Sequence, residues 1–186
     1  MRLLYLVRHA SPIVQPNVPS HEWPLSDRGI EEARAVGEAA KRWGLQTLYS
    51  STEKRAEATA LLIGDAVGLP VRVGGGFEEL RMGWIGNADA FAETVRDILF
   101  DPERAVPGAE SAGAAAARFD EGVRVVEQGA FPAAIVTHGR VMMAWLATRF
   151  SLDDPFALWR ALPIPGWVLV DLDAPAQDLR AEGIGG

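Results

Sequence analysis

Two short apolar runs constrain this chain more than any other feature. Leu3-Leu-Tyr-Leu-Val7 and Ala133-Ala-Ile-Val-Thr137 are each five residues long and show no helical period. Runs of this kind read as strands buried on both faces of a sheet. Each ends in a histidine with an arginine close by: Arg8-His9 after the first, His138-Gly139-Arg140 after the second. In open α/β sheets, ligands bind outside the carboxyl ends of the strands. If the two strands are parallel and central, their imidazoles converge on one pocket. One histidine at a strand end is commonly a satisfied structural group, but two, each beside an arginine, point to a site.

The rest of the chain alternates helix and strand. Ser26 is a plausible N-cap, with Asp27 in the first turn of a helix that reaches about Trp43 and stops at Gly44. Leu45 to Tyr49 reads as a strand, Glu53 to Val67 as a helix closed by Gly68, and Pro70 to Val73 as an edge strand. Helices follow at Ala88–Phe100 and Glu110–Gln128, and after the second histidine strand at Val141–Phe150. Pro163 to Gly166 is a break, and Trp167 to Leu172 is the last strand. This order implies an α/β fold, a three-layer sandwich with a mostly parallel central sheet and helices on both faces. Residues 1–173 form a single domain in this reading. A small helical cap is expected around 86–108, and 174–186 is expected to be a mobile tail.

Composition excludes some functions. The chain has 186 residues, 25 acids against 18 bases, and a formal net charge of −7. Nucleic acid as a partner is disfavoured, because a phosphate backbone requires a basic stripe. A small anion remains compatible with a local arginine cluster. There is no cysteine, hence no disulfide framework and no thiolate metal site. The first apolar run is too short for a secretory h-region, and no uncharged stretch approaches a spanning helix. The expectation is a cytoplasmic protein without a membrane partner, its oligomeric state, monomer or homodimer, left open.

Several further residues could carry chemistry. Arg55 falls in the first turn of a helix, where the macrodipole disfavours a cation. It is either a solvated side chain paired to Glu53 or Glu57, or part of an anion site with the helix N-terminus. Gly74-Gly-Gly76 lacks the Lys-Ser/Thr of a P-loop and reads as a turn. Glu78 and Glu79 sit among Phe77, Met82 and Trp84, whose apolar bulk favours a protonated carboxyl and so a general acid. The loop from Ser11 to Trp23, with His21 in it, is long enough to suggest a functional role.

Taken in order, these segments resemble the histidine phosphatase superfamily, the phosphoglycerate-mutase-like fold. Leu6-Val-Arg-His-Ala10 resembles its Arg-His-Gly signature, with Ala10 in place of the glycine. Pro24-Leu-Ser-Asp-Arg-Gly29 and Ser50-Ser-Thr-Glu-Lys-Arg-Ala-Glu-Ala-Thr-Ala60 resemble its next two elements. Glu79 with Gly83 and Gly86 resembles its Glu-x-x-x-Gly-x-Trp-x-Gly stretch, one residue short. Pro107-Gly-Ala-Glu-Ser111 and Ile135-Val-Thr-His-Gly139 complete the set. The resemblance implies a phosphatase acting on a small phosphorylated metabolite, with neither cofactor nor metal. It implies His9 as the nucleophile, Arg8, Arg55 and His138 as the phosphate-binding set, His138 also as a catalytic group, and Glu79 as the general acid, with Glu78 as its competitor. A phosphoglycerate mutase and a phosphohistidine or other phosphoprotein phosphatase are the alternatives it leaves.

Overall fold

The structure is a computed structural model that describes residues 1–104, 108–174 and 179–184. Its centre is a six-stranded sheet in the order β3-β2-β4-β1-β5-β6. The strands are β1 (Leu3–Arg8), β2 (Thr47–Ser50), β3 (Val71–Val73), β4 (Ala133–Thr137), β5 (Gly166–Asp171) and β6 (Ala181–Gly183). The first four in chain order run parallel, and β5 and β6 add antiparallel strands beside β1.

The side chains of β1 and β4 alternate between two cores, as the period of a strand requires. Leu4, Leu6, Ala133 and Ile135 join one cluster, while Val7, Ala134 and Val136 join the other. The first face is covered by α4 (Ala112–Val126) through Phe119 and Val123, and by α5 (Gly139–Phe150) through Met142, Trp145 and Leu146. The second is covered by α1 (Asp27–Ala40) and α2 (Lys54–Val67), through Val36, Ala56, Ala60 and Ile63. The expected three-layer sandwich is therefore the observed one. Ser26 does cap α1, its hydroxyl accepting the Gly29 N–H at 3.0 Å. Gly68 ends α2 in the left-handed region, φ 73°, where glycine bears no Cβ penalty.

Two expectations need correction. A short helix, α6 (Pro155–Ala161), fills the stretch before β5 and was not foreseen. The segment expected as a mobile tail contains β6, which pairs with β5, and Glu182 accepts a hydrogen bond from the Trp167 indole at 3.0 Å. Residues 175–178 and 185–186 of that segment lie outside the described residues, as do 105–107 of the 86–108 stretch, the last of which is the first residue of the Pro107–Ser111 motif. Within 86–108, α3 (Ala88–Phe100) sends Val95, Ile98 and Leu99 into the first core and Phe91 towards a cavity at the sheet edge.

Candidate active site

Register brings the two histidines together. β1 and β4 pair from Leu4↔Ala133 to Arg8↔Thr137. One residue further, the His9 N–H donates to the Thr137 carbonyl at 3.0 Å. His9 and His138 thus leave the sheet side by side, with ring centroids 5.1 Å apart. Both are buried, His138 completely. Burial, and after it the Arg55 charge, hold both imidazoles well below the ordinary histidine range.

The tautomer of His9 follows from its neighbours. Its Nδ1 is 2.8 Å from the Ala10 carbonyl, which can only accept. Its Nε2 is 3.0 Å from Arg55 Nε, which can only donate. The ring therefore carries its proton on Nδ1 and a lone pair on Nε2. His138 Nε2 meets the Ser51 hydroxyl at 2.9 Å, and Ser51 is fixed by its own backbone bond to Val136 on the neighbouring strand.

Arg55 is buried, not solvated. Besides His9, it donates to the Ser20 carbonyl and pairs with the buried Glu53 carboxylate, Nη2 to Oε2 2.6 Å. The pairing with Glu53 expected for a solvated arginine is present but buried, and Arg55 also lines the cavity with His9. Burial pushes the Glu53 carboxyl up, against the opposing pull of Arg55. Glu53 also accepts the Glu79 N–H at 2.8 Å, so one carboxylate ties together α2 and the segment that delivers Glu79.

Glu79 lines the cavity with His9. Its surroundings differ from the apolar cluster expected, because Phe77 turns into the core against Phe119. The Glu79 carboxylate instead sits at the start of α5, accepting from Val141 N–H at 3.0 Å and Leu80 N–H at 2.8 Å, a placement the helix dipole favours. Its Oε2 is 3.3 Å from Arg140 Nε. Glu78 points elsewhere, into a network with Arg118, Thr52 and the Gly76 N–H.

Arg8 spans from β1 to the Leu162 carbonyl, Nη1 to O 2.9 Å. Burial lowers its pKa to about 10, the nearby Glu79 charge offsetting part of the effect. Arg140, quoted above beside His138 but not expected as a ligand, also lines the cavity and lies over the Phe91 ring at 5.4 Å. Trp159, on the unforeseen α6, completes this wall. Arg8 Nε and Trp159 Nε1 are buried N–H groups with no hydrogen-bond acceptor, whereas Arg140 Nε has the Glu79 carboxylate at 3.3 Å. Buried donors are almost always paired, and two unpaired ones in one cavity wall, beside three guanidinium groups, suit an anionic ligand. His138 is not among the lining residues. It stands behind His9, and its Nδ1 has no partner either. His21, in the loop, is exposed and pairs with Glu22.

A neutral histidine whose Nε2 lone pair accepts from Arg55, among guanidinium groups at the carboxyl edge of the parallel strands, defines the kind of site. The sequence matches the histidine phosphatase superfamily (branch 1) over residues 4–181, and the chain belongs to that superfamily. It is 28% identical over 173 residues to a protein described as "Probable phosphoglycerate mutase GpmB" of Yersinia pestis (strain Pestoides F), the match covering 82% of this chain and 76% of that one. Among solved structures, the complex of mycobacterial glucosyl-3-phosphoglycerate phosphatase with inorganic phosphate superposes with a TM-score of 0.73 at 27% identity, over 98% of this chain and 95% of that one. The alpha-ribazole phosphatase of Shigella flexneri shares the fold, with a TM-score of 0.70 at 23% identity over 97% and 96% of the two chains.

Proposed function

We propose that this chain is a metal-independent phosphomonoester hydrolase working through a phosphohistidine on His9. The observation that carries the reading is the neutral His9 in a cavity whose wall holds three guanidinium groups and two N–H donors without acceptors, Arg8 Nε and Trp159 Nε1. In the first step Nε2 attacks phosphorus, the P–O ester bond breaks, and its electron pair goes to the leaving oxygen. The Glu79 carboxyl supplies the proton that makes the leaving group an alcohol. In the second step water attacks phosphorus, Glu79 takes a proton from it, and the P–N bond breaks to restore the Nε2 lone pair and release phosphate. Phosphoryl transfer is governed by positioning and by charge around the equatorial oxygens. Arg8 offers an unused donor there, and Arg140 and Arg55 add two further guanidinium groups. His138 lies outside the cavity lining, its ring centroid 5.1 Å from that of His9, and acts by positioning the nucleophile. The phosphatases among the structural neighbours support hydrolysis as the net reaction.

A mutase reading is favoured by the resemblance to the Yersinia protein. It requires a site for the carboxylate of a phosphoglycerate beside the phosphate site. Beyond Arg8, Arg55, Glu79 and Arg140, none of the described residues lining the cavity is charged, which favours the hydrolase.

The test is to quench turnover of p-nitrophenyl phosphate and measure protein-bound, acid-labile phosphate. Wild type is expected to carry it and His9→Ala to lack it, with turnover lost. Wild-type turnover in His9→Ala overturns the mechanism. Dialysis against EDTA is expected to leave the rate unchanged, and recovery only on adding a divalent metal overturns metal independence.

A further inference from the structure

The cavity above the phosphate-facing groups is far larger than a phosphate needs. Its volume is about 620 Å³, within the range of sites that enclose a whole small molecule. Its floor holds all the charge. Its walls come from the loop before α1, the strap at Met82–Ile85, Phe91 of α3, and the Trp159 and Ile164 side. Among the described residues of these walls, the polar side-chain groups are those of Asn17 and Ser20 and the indole N–H groups of Trp23, Trp84 and Trp159, of which that of Trp23 is already bonded.

The walls are apolar and wet. Val14, Val18, Trp84 and Ile164 are 52%, 37%, 63% and 40% exposed, and all four border this cavity. Large apolar side chains are gathered in water where a partner covers them. The wall is also held in place. The Trp23 indole N–H is shared between the carbonyls of Gln15 and Val18 at 3.0 and 2.9 Å, and the Trp23 ring meets Trp84 edge-on, centroids 6.1 Å apart. The Arg55 bond to the Ser20 carbonyl ties the same loop to the floor. A preformed wall spends little on ordering when a ligand arrives.

Taken on the phosphomonoesterase reading above, we infer that the substrate is the phosphate monoester of an uncharged, largely apolar alcohol or phenol, whose hydrocarbon part occupies this chamber. A second phosphate or a carboxylate on the leaving group meets no cation there, and unpaired charge is costly to bury. A sugar places hydroxyls against hydrocarbon with few partners, which is also unfavourable.

The experiment compares butyl, hexyl and octyl phosphate with glycerol 3-phosphate, 3-phosphoglycerate and a phosphotyrosine peptide. The primary alcohols are similar leaving groups, so differences among them report binding of the rest of the molecule. The expected result is a kcat/KM that rises along the alkyl series by up to about fourfold per buried methylene, with octyl phosphate above both glycerol esters and the peptide. Trp84→Ala is expected to shrink the octyl-to-butyl ratio. A flat series, or preference for 3-phosphoglycerate or the peptide, overturns the inference and leaves the phosphatase reading standing. Calorimetric titration with methylphosphonate and octylphosphonate gives a reading independent of turnover. Tighter binding of the octyl compound, with no ester hydrolysed at all, supports the chamber and overturns the phosphatase instead. Equal binding of the two phosphonates overturns the chamber.

Discussion

Arg55 Nε donates to His9 Nε2 across 3.0 Å, so the lone pair proposed to attack phosphorus is engaged before substrate arrives. A phosphoryl dianion offers Arg55 a charged acceptor, and charge-assisted hydrogen bonds are roughly twice as strong as neutral ones. On the proposed mechanism, substrate binding is therefore expected to draw Arg55 from the nitrogen and free it for attack. The same guanidinium holds the buried Glu53 carboxylate at 2.6 Å, so Arg55 links the chemistry to the stability of the fold.

That link separates two effects in mutants. Arg55→Ala is expected to lower kcat/KM on the order of 10²-fold, as for loss of one preorganised donor. The sequence reading of a surface arginine predicts unchanged stability, but burial changes that expectation. Leaving Glu53 without its partner is expected to destabilise the fold, by up to about 3 kcal/mol. The double change Arg55→Ala with Glu53→Gln is expected to recover much of the lost stability and none of the activity. Denaturant titrations beside kinetics check this, and equal stability of the two variants contradicts it.

Glu79 and its neighbour are expected to behave differently. Glu79→Gln keeps the shape but cannot give or take the proton, and kcat is expected to fall by about 10²-fold or more. Glu78→Gln touches only the Arg118 network and is expected to leave kcat within about twofold while slightly lowering Tm. Rates on p-nitrophenyl phosphate, whose phenol leaves readily, are expected to suffer less in Glu79→Gln than rates on an alkyl ester.

Stability is expected to fall with pH below the ordinary histidine value of 6.5. His9 and His138 both resist protonation in the native state, so the unfolded chain binds more protons in that window. Each contributes a slope of up to about 1.4 kcal/mol per pH unit. Their contribution is complete above 6.5 and is lost as pH falls towards their native values. Glu53 acts oppositely: its raised native value stabilises the fold at low pH and is lost as pH rises through that value from 4.5. One carboxyl offsets at most one histidine. Thermal melts from about pH 7.5 to 5 check the sign, and a His138→Gln variant is expected to show a shallower slope. Activity is expected to persist below 6.5, because the nucleophile stays neutral there.

Gly139 lies against the arginine. A Cβ at this position would stand 3.0 Å from Arg8 Nε and 3.3 Å from Trp159 Nε1. Gly139→Ala therefore displaces both unused donors, while alanine suits a helix as well as glycine or better. The expected result is a fall in kcat/KM of about 10- to 100-fold with Tm little changed. Wild-type kinetics in this variant would remove Arg8 from the phosphate site.

Much of the site was legible because its residues follow segments with strong local signals. The apolar runs that become β1 and β4 end in His9 and His138, and the N-cap at Ser26 and the stop at Gly68 mark α1 and α2. Glu53, Arg140 and Trp159 were harder to read. Glu53 looks like any first-turn acid, and only its burial against Arg55, Glu79 and His138 separates it from a solvated one. Arg140 stands two residues after His138, a signal present in the sequence and not followed to a role. Trp159 belongs to a seven-residue helix, too short for apolar periodicity to identify.

The sequence alone determined the fold class, the superfamily resemblance and the residues around His9, because strand burial, capping and close motif spacing are local properties. Tertiary structure alone decided the tautomer of His9, the burial of Arg55, the lodging of Glu79 at the start of α5 and the apolar chamber above them. Each of these depends on hydrogen-bond acceptors, charges or walls supplied by segments distant along the chain. The β1–β4 register and the packing of the loop before α1, and no local pattern, bring those segments within reach of one another.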